Sequence, residues 1–400
     1  MYRMESLTSF SQDAWDCSLM RSIVPGRCDD PEVTSGPEQT VRSALADRVA
    51  ADASYGGAAC VLRPDTTERS GGGPTELDLV AGTRDGVRPW EPDTLVLCYS
   101  VAKPFAALTV LDAVADGALT LDQPVAALWP AYAAHGKGGT TVRHVLSHAA
   151  GLPRFPAAAA GLDLADHDGL VALLADAEPE HEPGSGVAEH ALTYGHLCDE
   201  LVRRATGATL VDRFRAIAAD LGWDVHLALT GADLDRCADV VEPPTEPWRQ
   251  TLLHDPRWGP ALGSPPGLLD ADVVNGEAFR RTTFAAVSAY ASARGLAGAY
   301  ADLAPGDGPV AARLGPDLHT AYLAPAASGH DRVLDREVTW TLGFQRDEED
   351  LGMGGVGGCS AWWSLRRGYA AAYVTRSLGV GSPADVLWEA LEPAATDELG

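Results

Sequence analysis

The sequence has 400 residues, of which 46% are hydrophobic, and this is enough for one large globular unit or two closely packed ones. Lysine and arginine number 30 against 56 aspartates and glutamates, which gives a formal net charge of −26. So acidic a surface repels phosphate backbones and anionic lipid headgroups, and we therefore expect neither nucleic-acid binding nor binding to a membrane surface.

The sequence also indicates the compartment. No run reaches the roughly 18 consecutive apolar residues that a membrane-spanning helix needs. The first residues lack a basic region followed by an apolar run, so no secretory signal is predicted. The cysteines are odd in number and never form a C-x-x-C pair, which predicts reduced thiols in a cytoplasmic protein without zinc or disulfides. They are Cys17, Cys28, Cys60, Cys98, Cys198, Cys237 and Cys359.

The predicted elements begin after an N-terminal extension, residues 1–38, which lacks clear periodicity and which we expect to be loosely attached. Apolar residues at helical spacing over 38–50 predict a helix. Residues 58–65 and 77–86 are interpreted as two strands joined by the glycine-rich turn R-S-G-G-G-P. A second helix is predicted over 104–116, where Gly117 ends it.

The middle of the chain is alanine-rich and helical up to about residue 230, whereas 231–280 is rich in Pro, Gly, Trp and Asp and carries little regular signal. We interpret 231–280 as a long surface excursion of the kind that forms lids or substrate-binding walls. Helical patterning resumes over 282–303, and then strands and a final helix close the chain. Strands at both chain ends with helices between them predict an α+β fold. Its antiparallel sheet is flanked by helices and built from about 39–125 and 281–400, with a mainly helical insert over about 126–280.

The stretch C-Y-S-V-A-K-P-F, residues 98–105, carries the clearest chemical signal. Proline has no amide hydrogen, so Pro104 must stand in the first turn of its helix, which places Ser100 at the N-terminus. Because positions i and i+3 share a helix face, we expect the Lys103 amine beside the Ser100 hydroxyl. An amine whose pKa is lowered by burial can accept the hydroxyl proton, and the Ser100 amide can stabilise an oxyanion. Cys98 we interpret as a small buried hydrophobe.

The surrounding sequence makes this assignment more specific. S-V-A-K-P-F with D-G-A-L-T-L-D-Q-P-V and H-V-L-S-H-A-A-G-L-P resembles the serine β-lactamase-like superfamily, in its class C β-lactamase and family VIII carboxylesterase branch. The resemblance runs from about residue 40 to the C-terminus and implies a β-lactamase/transpeptidase-like fold with Ser100 and Lys103 as catalytic residues. We expect no cofactor and no metal. His144 and His148, at a spacing that metal ligands also use, are interpreted as structural residues.

Two further elements of that family can be placed by the resemblance. Tyr194 takes the place of the catalytic tyrosine in the Y-x-N motif, where it would relay the proton from Ser100 to the leaving group, and His196 stands where asparagine is usual. His196 either donates a hydrogen bond to Lys103 or substrate, or only fills space. The segment M-G-G-V takes the place of the K-T-G strand motif. Its Val356 amide is then the second oxyanion donor, and the substrate-binding residues are Met353, Gly354, Gly355 and, on the neighbouring strand, Trp362.

These residues together predict a serine acyl-transfer enzyme that forms an acyl-enzyme on Ser100 from a small-molecule ester or amide. Water as acceptor makes it an esterase or amidase, and an amine or alcohol makes it a transacylase, a role that the resemblance connects with natural-product pathways such as antibiotic biosynthesis. Met353 cannot bind a substrate carboxylate, so the alternative of a β-lactamase or D-amino-acid peptidase is disfavoured, as it is by the lack of a secretion signal. A catalytically silent ligand-binding relative is the other alternative.

Overall fold

The computed structural model describes residues 36–64, 75–243, 247–379 and 384–391. Most of the predicted extension over 1–38 and the predicted glycine-rich turn lie outside these residues. The strands are β1 (Gly56–Leu62), β2 (Thr75–Gly82), β3 (Val96–Leu97), β4 (Val225–His226), β5 (Tyr290–Ala291), β6 (Ala327–Asp331), β7 (Arg336–Trp340), β8 (Gln345–Arg346), β9 (Asp350–Gly354), β10 (Ser360–Ser364) and β11 (Tyr369–Thr375).

The main sheet is antiparallel and joins both ends of the chain. Its order is β2-β1-β11-β10-β9-β8-β7-β6, and a small three-stranded sheet has the order β3-β5-β4. The pairing of β1 with β11 brings Gly57 opposite Thr375 and Leu62 opposite Ala370. The predicted fold class is therefore confirmed, because strands from the first and the last part of the chain form one sheet.

The α-helices lie on both faces of this sheet. They are α1 (Pro37–Ala51), α2 (Lys103–Ala115), α3 (Val125–Leu128), α4 (Val142–Leu146), α5 (His167–Asp176), α6 (Thr193–Thr206), α7 (Leu210–Leu221), α8 (Trp248–His254), α9 (Trp258–Leu262), α10 (Ala271–Val274), α11 (Glu277–Arg280), α12 (Ala293–Leu303), α13 (Pro309–Leu314), α14 (Pro316–Leu323) and α15 (Ala384–Leu391). None of the helices in the described ranges has the length and hydropathy needed to cross a membrane.

Strand β1 shows how the two faces are covered. Its side chains alternate, so Ala58 and Cys60 face the larger core with the helices of the middle of the chain, while Ala59 and Val61 face α1 and α15. A strand buried on both faces has no polar side and reads as a continuous apolar run, as G-G-A-A-C-V-L does here. The core thus lies in two layers, and the larger one holds α2 at its centre.

The segment 231–280 differs from the prediction. It contains the four short helices α8 to α11, of which none exceeds seven residues, and tryptophans at the start of α8 and α9 bury their rings. The sequence pattern missed these helices because four to seven residues are too few for a 3.6-residue period to show. The divisions at 38, 126 and 280 stay predictions, although helices α4 to α11 do lie within 126–280.

Helix α2 is fixed in the core by a buried carboxylate. Asp112 Oδ2 lies 2.6 Å from Arg213 Nη2 of α7, and its Oδ1 lies 2.5 Å from Arg313 Nε of α13. Asp116, the residue that follows α2, also contacts Arg213 but is largely exposed. The buried contact joins three helices at the end of α2 opposite to Ser100.

We predict that Asp112→Ala lowers the free energy of unfolding by roughly 1.5–3 kcal/mol, because two arginines then lose a charged hydrogen-bond partner. Asp116→Ala is the matched control and should cost less than about 1 kcal/mol, since its ion pair is exposed to solvent. Urea unfolding followed by circular dichroism measures both. Equal losses in the two variants would contradict the role given to Asp112.

Candidate active site

Ser100 follows a sharp change of backbone direction. Strand β3 ends at Leu97, Tyr99 takes a φ of 50°, and a 3-10 turn over Ser100–Ala102 leads directly into α2. A positive φ at a bulky residue costs of order 1–3 kcal/mol and persists only where the surroundings impose it. Here the Tyr99 side chain is buried and contacts the ring of Trp248. The strained residue presents the next residue, Ser100, at the start of the helix.

The Ser100 hydroxyl and the Lys103 amine are in direct contact. Lys103 Nζ lies 2.6 Å from Ser100 Oγ, and the lysine side chain has no exposed surface. Burial lowers the pKa of Lys103, an effect that the nearby carboxylate of Glu189 opposes. Because a lower pKa increases the neutral fraction of the amine, this geometry allows Lys103 to accept the Ser100 proton.

Glu189 is the residue that the sequence analysis missed. Its Oε1 lies 3.3 Å from Lys103 Nζ, and its side chain is 6% exposed. Burial raises the pKa of Glu189, whereas the charge of Lys103 lowers it. Glu189 is the only carboxylate in the mostly apolar run G-V-A-E-H-A-L, and a lone carboxylate in such a run is the signal that could have identified it.

The residue that follows strand β9 approaches the backbone just before the nucleophile. A Cβ built on Gly355 would lie 2.1 Å from the Cys98 carbonyl oxygen, so only glycine permits this approach. The next residue, Val356, accepts a hydrogen bond on its carbonyl from Trp248 Nε1 at 3.1 Å. Gly355 therefore does not line the cavity described below but sets the distance between β9 and the residues before Ser100.

Ser100 and Glu189 open into a cavity of about 480 Å³. One part of its wall is apolar and includes Trp258, Leu262, Leu334, Val338, Met353 and Trp362. Charged side chains also line it, namely Arg336, Glu337, Arg346, Asp347, Glu348 and Asp350. Of the predicted substrate-binding residues, the structure brings Met353, Gly354 and Trp362 to this cavity, together with Val356. An apolar group of moderate size can thus be held beside the Ser100 hydroxyl.

Tyr194 and His196 do not lie at this site, and we correct both assignments. Tyr194 is buried; its hydroxyl donates to the Leu146 carbonyl at 3.1 Å, and its ring stacks on His148 with centroids 4.7 Å apart. His196 is buried between the rings of Phe284 and His167, and burial lowers its pKa to about 3. Both residues belong to α6, and neither lines the cavity beside Ser100.

The remaining predicted residues have structural places. His144 accepts a hydrogen bond from the Thr141 amide and caps α4, and His148 Nδ1 accepts one from the His190 amide at 2.9 Å. Within the described ranges no group of three or more His, Cys, Asp or Glu residues is arranged to hold a metal ion. Cys98 is fully buried, and burial raises the pKa of its thiol well above the ordinary value.

Comparison with known proteins places the chain in a family. The model of the Beta-lactamase family matches residues 41–396. The chain is similar to the esterase/beta-lactamase LipL of Mycobacterium tuberculosis, with 38% identity over 164 residues, which is 40% of this chain and 38% of LipL. The aligned part therefore spans well under half the length of that curated relative.

Solved structures resemble the fold over nearly the whole chain. A penicillin-binding protein homologue from Caulobacter crescentus has a TM-score of 0.72 and 30% identity, covering 92% of this chain and 98% of the other. A family VIII carboxylesterase has a TM-score of 0.71 and 26% identity, covering 89% and 97%. These likenesses agree with the predicted fold.

The close approach at Gly355 yields a prediction. Gly355→Ala should destabilise the protein by roughly 1–3 kcal/mol, because its Cβ collides with a backbone oxygen. Gly354→Ala, one residue earlier, has nothing within 4 Å of its Cβ and should leave the free energy of unfolding nearly unchanged. Thermal unfolding compares the two, and equal stabilities would show that β9 does not press against residue 98.

The position of Tyr194 yields another. Tyr194→Phe should lower stability by about 1 kcal/mol through the lost hydrogen bond to Leu146 and leave the rate of Ser100 acylation within a few-fold of wild type. Burst kinetics with p-nitrophenyl acetate measure that rate. A hundred-fold slower burst in a folded variant would restore Tyr194 as a catalytic residue.

Proposed function

Since the chain belongs to the Beta-lactamase family, we propose that it is a serine hydrolase that forms an acyl-enzyme on Ser100. The observation that carries this proposal is the 2.6 Å contact between the Ser100 hydroxyl and a lysine amine without exposed surface, at the wall of a cavity. The Lys103 amine accepts the hydroxyl proton as Ser100 Oγ attacks the substrate carbonyl carbon. The π electrons of the carbonyl group move to its oxygen, and the amides of Ser100 and Val356 stabilise the resulting oxyanion.

Esters are the substrates that the cavity favours. Its apolar wall suits a neutral acyl group, and Met353 offers no charge to a substrate carboxylate. The acidic side chains of the cavity wall outnumber its two arginines, Arg336 and Arg346, so the formal charge of the wall disfavours an anionic substrate. The relative LipL is named an esterase and a beta-lactamase. Of these two activities, the cavity's charge supports the esterase.

A fluorophosphonate probe, which forms a covalent bond to an activated serine, tests this function. We expect stoichiometric labelling of the wild type at Ser100 and no labelling of Ser100→Ala. Lys103→Met should slow labelling at least 10²-fold, because the hydroxyl loses its proton acceptor. Circular dichroism shows whether each variant is folded.

Ser147→Ala is the control for that experiment. Ser147 is also buried, but its hydroxyl donates to the Arg143 carbonyl instead of contacting a lysine. It should be labelled like the wild type. A folded wild type that takes no label, and shows no burst with p-nitrophenyl acetate, would refute the enzyme assignment in favour of a catalytically silent ligand-binding protein.

We further propose that water is the acyl acceptor, an assignment supported by the name of the esterase relative. Product analysis with p-nitrophenyl butyrate and a panel of amines and alcohols tests it. Free butyrate should remain the main product at millimolar acceptor. An amide or ester as the main product would identify a transacylase instead.

A further inference from the structure

Glu189 is placed to take part in the reaction and not only to balance a charge. It lines the same cavity as Ser100, the space that the proposed function assigns to the substrate. At the same time it contacts Lys103 Nζ at 3.3 Å. One carboxyl group therefore borders both the amine that accepts the nucleophile's proton and the cavity into which a leaving group departs.

The backbone of Glu189 is held by a second buried carboxylate. Asp331, at the end of β6, has no exposed surface, and its Oδ1 accepts hydrogen bonds from the amides of Glu189 (3.0 Å), Val333 (2.9 Å) and Leu334 (3.0 Å). Its Oδ2 accepts one from Trp340 Nε1 at 3.0 Å. With four donors, the Asp331 carboxylate is held in one position and fixes the segment that carries Glu189.

Burial and the neighbouring charges shift the pKa of Glu189. Burial is the main cause that raises its pKa, and the Asp331 charge adds to that, while Lys103 and Arg336 lower it. The imidazoles of His148 and His190 lie nearby, and burial lowers the pKa of both, which keeps them neutral. Since burial lowers the pKa of Lys103 and raises that of Glu189, both shifts favour a neutral amine beside a protonated carboxyl group.

We propose that Glu189 is the acid–base catalytic residue of this site: it protonates the leaving group during acylation and accepts a proton from water during deacylation. Asp331 is its positioning residue. The inference rests on the proposed serine hydrolase function and adds to it the second proton-transfer group, which the sequence analysis had assigned to Tyr194.

The proton count closes over one turnover. In acylation the Ser100 proton passes to the Lys103 amine, the bond from Oγ to the acyl carbon forms, the bond to the leaving oxygen breaks, and the Glu189 carboxyl proton goes to that oxygen. This leaves an ammonium beside a carboxylate. In deacylation water attacks the acyl carbon and gives its proton to Glu189, while the Lys103 ammonium returns a proton to the departing Ser100 oxygen.

Leaving-group dependence tests this inference. An alkoxide leaves poorly without a proton, whereas p-nitrophenolate leaves readily. Glu189→Gln should therefore slow acylation by ethyl butyrate by roughly 10²–10⁴-fold and acylation by p-nitrophenyl butyrate by less than about tenfold. Acylation of the alkyl ester is measured by quenched-flow mass spectrometry, and that of the aryl ester by the p-nitrophenol burst. Glu182→Gln, an exposed glutamate of the same segment, is the control and should match the wild type with both esters.

The fluorophosphonate reaction separates the possible failures. It does not need the alkoxide proton, so a folded Glu189→Gln protein should still be labelled at Ser100. If Glu189→Gln is labelled but its acylation rate falls equally with both esters, Glu189 has only a structural role. That result would overturn the inference and leave the proposed hydrolase function standing. A wild type that is not labelled would instead refute the proposed function itself.

The pH profile of a second variant tests the role of Asp331. Asp331→Asn removes the negative charge that raises the pKa of Glu189, so Glu189 loses its proton at lower pH. The alkaline limb of kcat/KM for ethyl butyrate should therefore move to lower pH. Trp340→Phe, which removes one donor to Asp331 but keeps the charge, should leave that limb in place. Superimposable limbs for Asp331→Asn and wild type would overturn the electrostatic part of the inference.

Discussion

A lysine amine without exposed surface, in contact with a serine hydroxyl, is the constraint on which the rest of this site depends. Moving an ammonium out of water costs several kcal/mol unless it is paired or loses its proton. Lys103 has Ser100 and Glu189 as its contacts, and burial opposes its charge. The same desolvation that makes this position costly also makes the amine a proton acceptor, so the cost in stability and the chemistry have one physical origin.

Three separate parts of the chain must meet to hold that amine. Helix α2 supplies Lys103 and, through Asp112, is anchored to α7 and α13. Strand β9 closes on the residues before Ser100 because residue 355 is glycine. The segment before α6 brings Glu189, and Asp331 of β6 fixes its backbone. Segments that are far apart in the sequence therefore meet around one hydroxyl group.

How much the sequence could predict differs between these parts. The place of Ser100 and Lys103 follows from Pro104, because a helix accepts proline only in its first turn. The structure has Pro104 in the first turn of α2, as this rule predicts. Tyr194 was assigned by its place in a motif, but its orientation depends on where α6 begins: at Thr193 the first turn faces the core. Glu189 precedes that helix, and its contact with Lys103 spans 86 positions (189 − 103), beyond the reach of local patterns. The same limit applies to His196, whose aromatic neighbours come from other elements.

The pH dependence of Ser100 labelling tests the central claim most directly, because it reports the proton on Lys103 without any leaving group that needs acid catalysis. Stopped-flow fluorescence measures the rate of fluorophosphonate labelling at each pH. The account predicts a half-maximal rate below pH 10.5, the ordinary pKa of a lysine, because burial lowers the pKa of Lys103. A labelling rate that rises only around pH 10.5 would contradict it, since Lys103 would then titrate as a solvated side chain.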